Sequence, residues 1–114
     1  MHALLNRFFA LAQRTLGRLA YTCGHLAEAA AMLQEALATF TTIHAQFEAG
    51  RTHLDLAAHA QGNLGAATAH LTHAHGMFTS LQVPHYVERT IYLTREYGIT
   101  LRAEPPEAPI PGQQ

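Results

Sequence analysis

An all-α fold built as a solenoid of helical hairpins is what this sequence predicts, and three observations carry the expectation. One pattern is written twice, 38 residues apart. Leu16, Ala20, Gly24, Leu26, Ala29, Ala31, Leu33, Ala36, Phe40 and Thr41 return as Leu54, Ala58, Gly62, Leu64, Ala67, Ala69, Leu71, Ala74, Phe78 and Thr79. Apolar residues recur at three- and four-residue spacing, the period of an amphipathic helix. No stretch of useful length alternates as a half-buried strand does. A repeat of this length marks an array whose usual task is to hold a partner rather than to do chemistry.

The elements follow in order. A first helix is predicted over residues 2–23, with Leu5, Phe8, Phe9, Ala12, Leu16, Leu19, Ala20 and Cys23 on its inward face. Gly24 ends it, because glycine adopts the left-handed conformation that stops a helix. The second helix spans 26–43 and turns Leu26, Ala29, Ala30, Leu33, Ala36, Leu37 and Phe40 inward. A turn this short makes the two helices antiparallel neighbours. The third covers 46–61, with Phe47, Leu54, Ala57 and Ala58 facing in, and stops at Gly62. Asn63 is a good N-cap for a fourth helix over 64–81. Pro84 opens a fifth over 84–97, at the position where its missing N–H costs nothing. Gly98 and Ile99 read as its C-cap with a hydrophobic contact.

After Arg102 the composition changes. Residues 103–114 carry Pro105, Pro106, Pro109 and Pro111 and are expected to be a disordered tail beyond a helical domain of residues 1–102. Within it Pro106 to Pro109 forms a minimal PxxP, read as part of a plain disordered end.

Composition sets further bounds. At 114 residues the chain is one domain. Lysine is absent, the seven cations are all arginine, and net charge is −1. Nucleic-acid binders carry a basic excess, so no nucleic-acid partner is expected. The single cysteine, Cys23, allows no intrachain disulfide and reads as a core thiol in a reducing, cytoplasmic setting. Near the N-terminus Arg7 interrupts the apolar run, so residues 1–12 read as mature helix rather than signal peptide. No stretch is long enough to span a membrane.

The repeat resembles the tetratricopeptide (TPR) family. Leu16-Gly17 matches that family's Leu-Gly pair, Gly24 the turn, and Ala29, Leu33 and Ala36 the small-large-small positions of the second helix. The second copy offers Leu54, Gly62, Ala67, Leu71 and Ala74, but has Asp55 where the first has Gly17. A side chain there is expected to open the local helix contact. The family's period is about 34 residues. Four more residues add roughly one helical turn, so these hairpins are long ones. The segment from Phe47 to Ala57 is similar to long-helix TPR segments of bacterial signal-transducing ATPases and cyclase-linked regulators. No nucleotide-binding or cyclase motif accompanies it.

The resemblance implies that the first helix of each hairpin grips a partner on a concave side. The matching positions are Arg14, Arg18, Tyr21 and Thr22, then Thr52, Leu56 and His59. Thr90 joins them, because Arg89-Thr90 repeats Arg51-Thr52 at the same offset. Arginine forks suit the carboxylates of a peptide or partner.

Nine histidines are the compositional oddity. His70 and His73 share a helix face at a spacing that can bind one metal ion, and His59 on the preceding helix is placed to approach them. No carboxylate or thiol completes the set, so no metal or other cofactor is expected. His75, the counterpart of Leu37, is expected to be partly buried beside the fifth helix. Protonating all nine histidines would move net charge from −1 to +8, so association or stability is expected to weaken below about pH 6.

No Ser-His-Asp order, paired carboxylates or phosphate loop is present, and no enzymatic activity is expected. The sequence thus predicts a protein-interaction or scaffolding module. A ligand-sensing regulatory module of a larger signalling protein is one alternative, and a histidine-rich metal-binding protein another. Arrays of this kind need about three repeats, and this one has two and a half. Self-association is therefore expected, as a homodimer, through Leu4 and Leu11 on the first helix.

Overall fold

The computed structural model describes residues 2–60 and 62–101, and all regular structure among them is helical. The chain forms α1 (His2–Thr22), α2 (Leu26–Thr42), α3 (Gln46–His59), α4 (Leu64–Ser80) and α5 (Pro84–Glu96). The five predicted helices are all present, each ending one or two residues early. The predicted tail, including its PxxP motif, lies outside the described residues. No helix among the described residues is long and apolar enough to cross a membrane.

Four of the five helices end in the same way. The residue after the cap turns to positive φ at Gly24 (86°), His44 (61°), Gln82 (60°) and Gly98 (70°). The next N–H reaches back five residues, from His25 to Ala20, Ala45 to Phe40, Val83 to Phe78 and Ile99 to Thr94. This closure satisfies carbonyls that a helix end leaves orphaned. His44 and Gln82 stand 38 residues apart, so the period extends into turns whose sequences do not match. Gly62 differs from its counterpart Gly24. There the turn closes through Asn63 N–H on Ala60 O. Asn63 caps α4 as expected, its Oδ1 accepting from Ala66 N–H at 3.0 Å.

Each helix packs along its neighbours in sequence, and α1 touches α3 along a narrow seam. That order is consistent with an α-solenoid. Two apolar clusters fill it. Ala10, Ala36, Phe40, Ala45 and Ala49 form the first, and Leu54, Ala57, Leu71, Ala74 and Phe78 the second. Phe40 and Phe78, equivalent by the repeat, are both fully buried, each stabilising its cluster by roughly 2–3 kcal/mol. Alanines at 29, 36, 67 and 74 keep the helix backbones close. Gly50 does the same for α3, where an added Cβ would lie 2.8 Å from the Phe78 ring.

α1 departs from expectation. Its predicted inward face is largely outward: Leu5, Phe8, Phe9, Ala12, Leu16, Leu19 and Cys23 are exposed. Ala10, Arg14 and Gly17 are buried instead, and Leu11 packs against the first cluster. The cause lies at Gly17. A Cβ there would meet Leu33 Cγ at 3.0 Å, so the missing side chain lets α1 settle on Leu33 through that position. In the second hairpin Leu54, not the Gly17 counterpart Asp55, shares a cluster with Leu71. One residue of helix rotation is about 100°, enough to swing the apolar stripe of α1 to solvent. Leu16 is consequently 51% exposed while its counterpart Leu54 is 7% exposed.

Candidate functional site

A groove of about 250 Å³ opens between α1, α3 and α5. Arg14 and Arg18 of α1, Arg51 and Asp55 of α3, and Tyr86 and Arg89 of α5 line it, with Leu54 and Leu93 at its apolar edge. The repeat explains part of this convergence. α3 and α5 present equivalent positions, Arg51 and Arg89 being one period apart, whereas the turned α1 enters with Arg14 and Arg18, the counterparts of Thr52 and Leu56.

Asp55 organises the α1 side. Arg14 Nε donates to Asp55 Oδ2 at 2.7 Å, and Arg18 Nε lies 3.8 Å from Oδ1. The Asp55 side chain thus bridges α3 to α1 rather than opening the hairpin, as its departure from the repeat suggested. Arg14 is 7% exposed and serves as the buried half of this bridge, while Arg18 is exposed. Arg51 Nη1 lies 3.4 Å from Glu48 Oε1 on its own helix and sits over the Phe47 ring at 5.8 Å. Arg89 is exposed and has no ion-pair partner among the described residues. Four guanidinium groups against Asp55 and Glu48 leave an excess of two positive charges, in a chain whose net charge is −1.

A second hollow of about 450 Å³ adjoins the groove and shares Arg18, Asp55 and Ala58 with it. Tyr21, Thr22 and His59 line this part. The Tyr21 and His59 rings stack with centroids 3.7 Å apart and planes within 6°. His59 Nδ1 is buried with no hydrogen-bond partner. Burial lowers the His59 pKa below the usual histidine value, with Asp55 opposing and nearby Arg18 reinforcing the effect.

Of the residues expected to face a partner, Arg14, Arg18, Tyr21, Thr22 and His59 do line these two connected hollows. Thr52, Leu56 and Thr90 are corrected: all three are buried. Thr52 Oγ1 donates to Glu48 O and Thr90 Oγ1 to Tyr86 O, both at 2.8 Å. Those bonds satisfy each hydroxyl within its own helix, so the threonines serve packing. In the repeated Arg-Thr dipeptide the arginine, one residue round the helix, is the member that reaches the groove. Leu11 is likewise corrected as a self-association residue, since it packs inside, while Leu4 remains exposed. Cys23, expected in the core, is exposed.

The histidines regroup as well. His53, not His59, joins His70 and His73. The Nδ1 atoms of His53 and His70 are 2.9 Å apart, and the His53 and His73 rings stack with centroids at 5.0 Å. Burial, then the neighbouring charges of His70 and His73, lowers the His53 pKa to about 4. Burial and His73 lower that of His70. A short contact between two ring nitrogens needs one to donate and the other to accept, so this pair holds together with at least one ring neutral. Among the described residues no three His, Cys, Asp or Glu side chains are disposed to hold a metal ion. His75 is half-buried.

Compared with protein-family models, curated proteins and solved structures, the chain matches none.

Proposed function

We propose that this chain is a cytoplasmic protein-interaction or scaffolding module of tetratricopeptide type, without catalysis, whose groove grips an acidic segment of a partner protein. The observation that carries the reading is the convergence of Arg14, Arg18, Arg51 and Arg89 on one groove with an excess of positive charge. Arginine binds carboxylates through a planar fork, and field focusing in a concave site strengthens the attraction. Tyr86 and Leu93 add the apolar contact that such a segment's side chains need.

Fluorescence anisotropy with labelled acidic peptides tests it. Peptides rich in Asp and Glu should bind at least tenfold more tightly than their Asn and Gln versions, and added salt should weaken them. Exchanging Arg51 and Arg89 together for Glu should abolish binding without changing helicity. Equal binding of neutral peptides would defeat the proposal. Preference for a phosphorylated oligonucleotide over any acidic peptide would replace the partner class.

A second reading, a ligand-sensing regulatory module within a larger signalling protein, draws on the adjoining hollow. There the stacked Tyr21 and His59 rings, with Thr22, line a space for a small molecule. The metal-binding alternative has less support, because among the described residues no three His, Cys, Asp or Glu side chains are disposed to hold a metal ion.

A further inference from the structure

The outward stripe of α1 has an order of its own. Leu5, Phe8, Ala12, Leu16 and Leu19 occupy offsets of −7, −4, 0, +4 and +7 about Ala12. All five are exposed, and Phe9 widens the stripe beside Phe8. The pattern reads the same in both directions along the helix. A stripe with that property is self-complementary when two copies meet antiparallel across a two-fold axis.

We infer that α1 of one chain packs antiparallel on α1 of a second copy, with the two-fold axis at Ala12. This pairing sets Leu5 against Leu19 of the other copy and Phe8 against Leu16. The small side chain of Ala12 sits where the two helices cross, which lets their axes approach closely. The spacing of seven, with intermediate residues at three or four, is that of an apolar helix–helix seam.

Three further observations favour a second copy over another occupant. Leu5, Phe8, Phe9, Leu16 and Leu19 are each more than half exposed. With Leu4 they run an apolar surface from Leu4 to Leu19 along α1, as the apolar core of a stable pair requires. α1 contains no Asp or Glu, and its cations Arg7, Arg14 and Arg18 point away from the stripe, so nothing within the seam repels its own copy. The centre of the stripe at Ala12 also lies opposite Arg14, and none of its residues lines the arginine groove, although Leu19 at its end borders the adjoining hollow beside Arg18. A dimer therefore leaves both grooves open and presents two of them to one target, which raises avidity without any new contact. The self-association surface is thus the stripe centred on Ala12, with Leu4 at its margin.

Sedimentation and cysteine pairing of the full chain test this inference. The wild type should have twice the 12.5 kDa mass of one chain, and Leu16→Glu should halve that mass while helicity stays unchanged. In a Cys23→Ser background, Ala12→Cys should link to its own copy on oxidation. Leu5→Cys and Leu19→Cys should link when mixed but not alone. A single-chain mass at every concentration would overturn the inference. So would a dimer that survives Leu16→Glu, or self-linking of Leu5→Cys alone, which marks a parallel pair. None of these readouts involves the groove, so the outcome is independent of peptide binding.

Discussion

Arg14 on α1 and Asp55 on α3 meet at 2.7 Å, joining two helices that otherwise touch along a narrow seam. Both residues replace what the repeat has elsewhere. Arg14 stands where α3 and α5 have Thr52 and Thr90, and Asp55 stands where α1 has Gly17. The buried guanidinium depends on its partner, because an unpaired charge in that position has lost water without compensation. Asp55→Ala should therefore destabilise the fold by about 3 kcal/mol in urea unfolding. Arg14→Met combined with Asp55→Leu should lose far less than Asp55→Ala alone, since an apolar pair leaves no stranded charge.

Glycine positions separate close approach from mere permissiveness. Gly50→Ala places a Cβ 2.8 Å from the Phe78 ring, deep in the second cluster. It should cost about 1–3 kcal/mol through overpacking. Gly76 lies within α4, and nothing stands within 4 Å of its would-be Cβ. Gly76→Ala should accordingly stabilise by about 0.5–1 kcal/mol, by reducing the entropy lost on folding. Thermal melts of the two variants should move in opposite directions.

His44 and Gln82 hold left-handed backbone at the ends of α2 and α4. A side chain resists that conformation and glycine does not. His44→Gly and Gln82→Gly should each stabilise by up to about 1 kcal/mol, a rise in Tm of roughly 4–8 °C for a domain of this size. Unchanged or lower melting temperatures would show that these turns carry no such strain.

The histidine cluster gives the fold an acid limit. The His53 pKa falls from its ordinary value of 6.5 to about 4 on folding, so between those values the unfolded chain binds a proton that the folded chain does not. Stability is then full above pH 6.5 and declines as pH drops toward 4. The slope follows from the proton difference, and the loss is roughly 2–3 kcal/mol. Urea titrations at pH 7 and pH 4 measure it. In His53→Leu the pH dependence over this window should shrink, leaving the smaller part due to His70 and His59, both of which are also lowered.

The helix count and most boundaries were legible because local signals agree. Asn63 caps, Pro84 starts and Gly98 stops where their backbone preferences require. The turns at His44 and Gln82 gave no such sign, since neither residue favours positive φ strongly enough to be read alone. In the groove, Arg14 and Arg18 were expected from the family resemblance of the first helix. Arg51 and Arg89 stood beside the chosen Thr52 and Thr90, and only the rotation of each helix tells which of two adjacent residues faces outward.

By itself the sequence determined the helices of the described residues, a 38-residue period, and the residues at the centre of each hairpin. Those features follow from local propensity and from spacing that repeats whatever the helices do next. Tertiary structure alone decided how α1 is turned, which histidines meet, and what Asp55 grips. Each depends on contacts between residues distant in sequence. A single missing side chain at Gly17 lets α1 seat on Leu33, so its strongest apolar stripe faces away from the helices it was expected to cover.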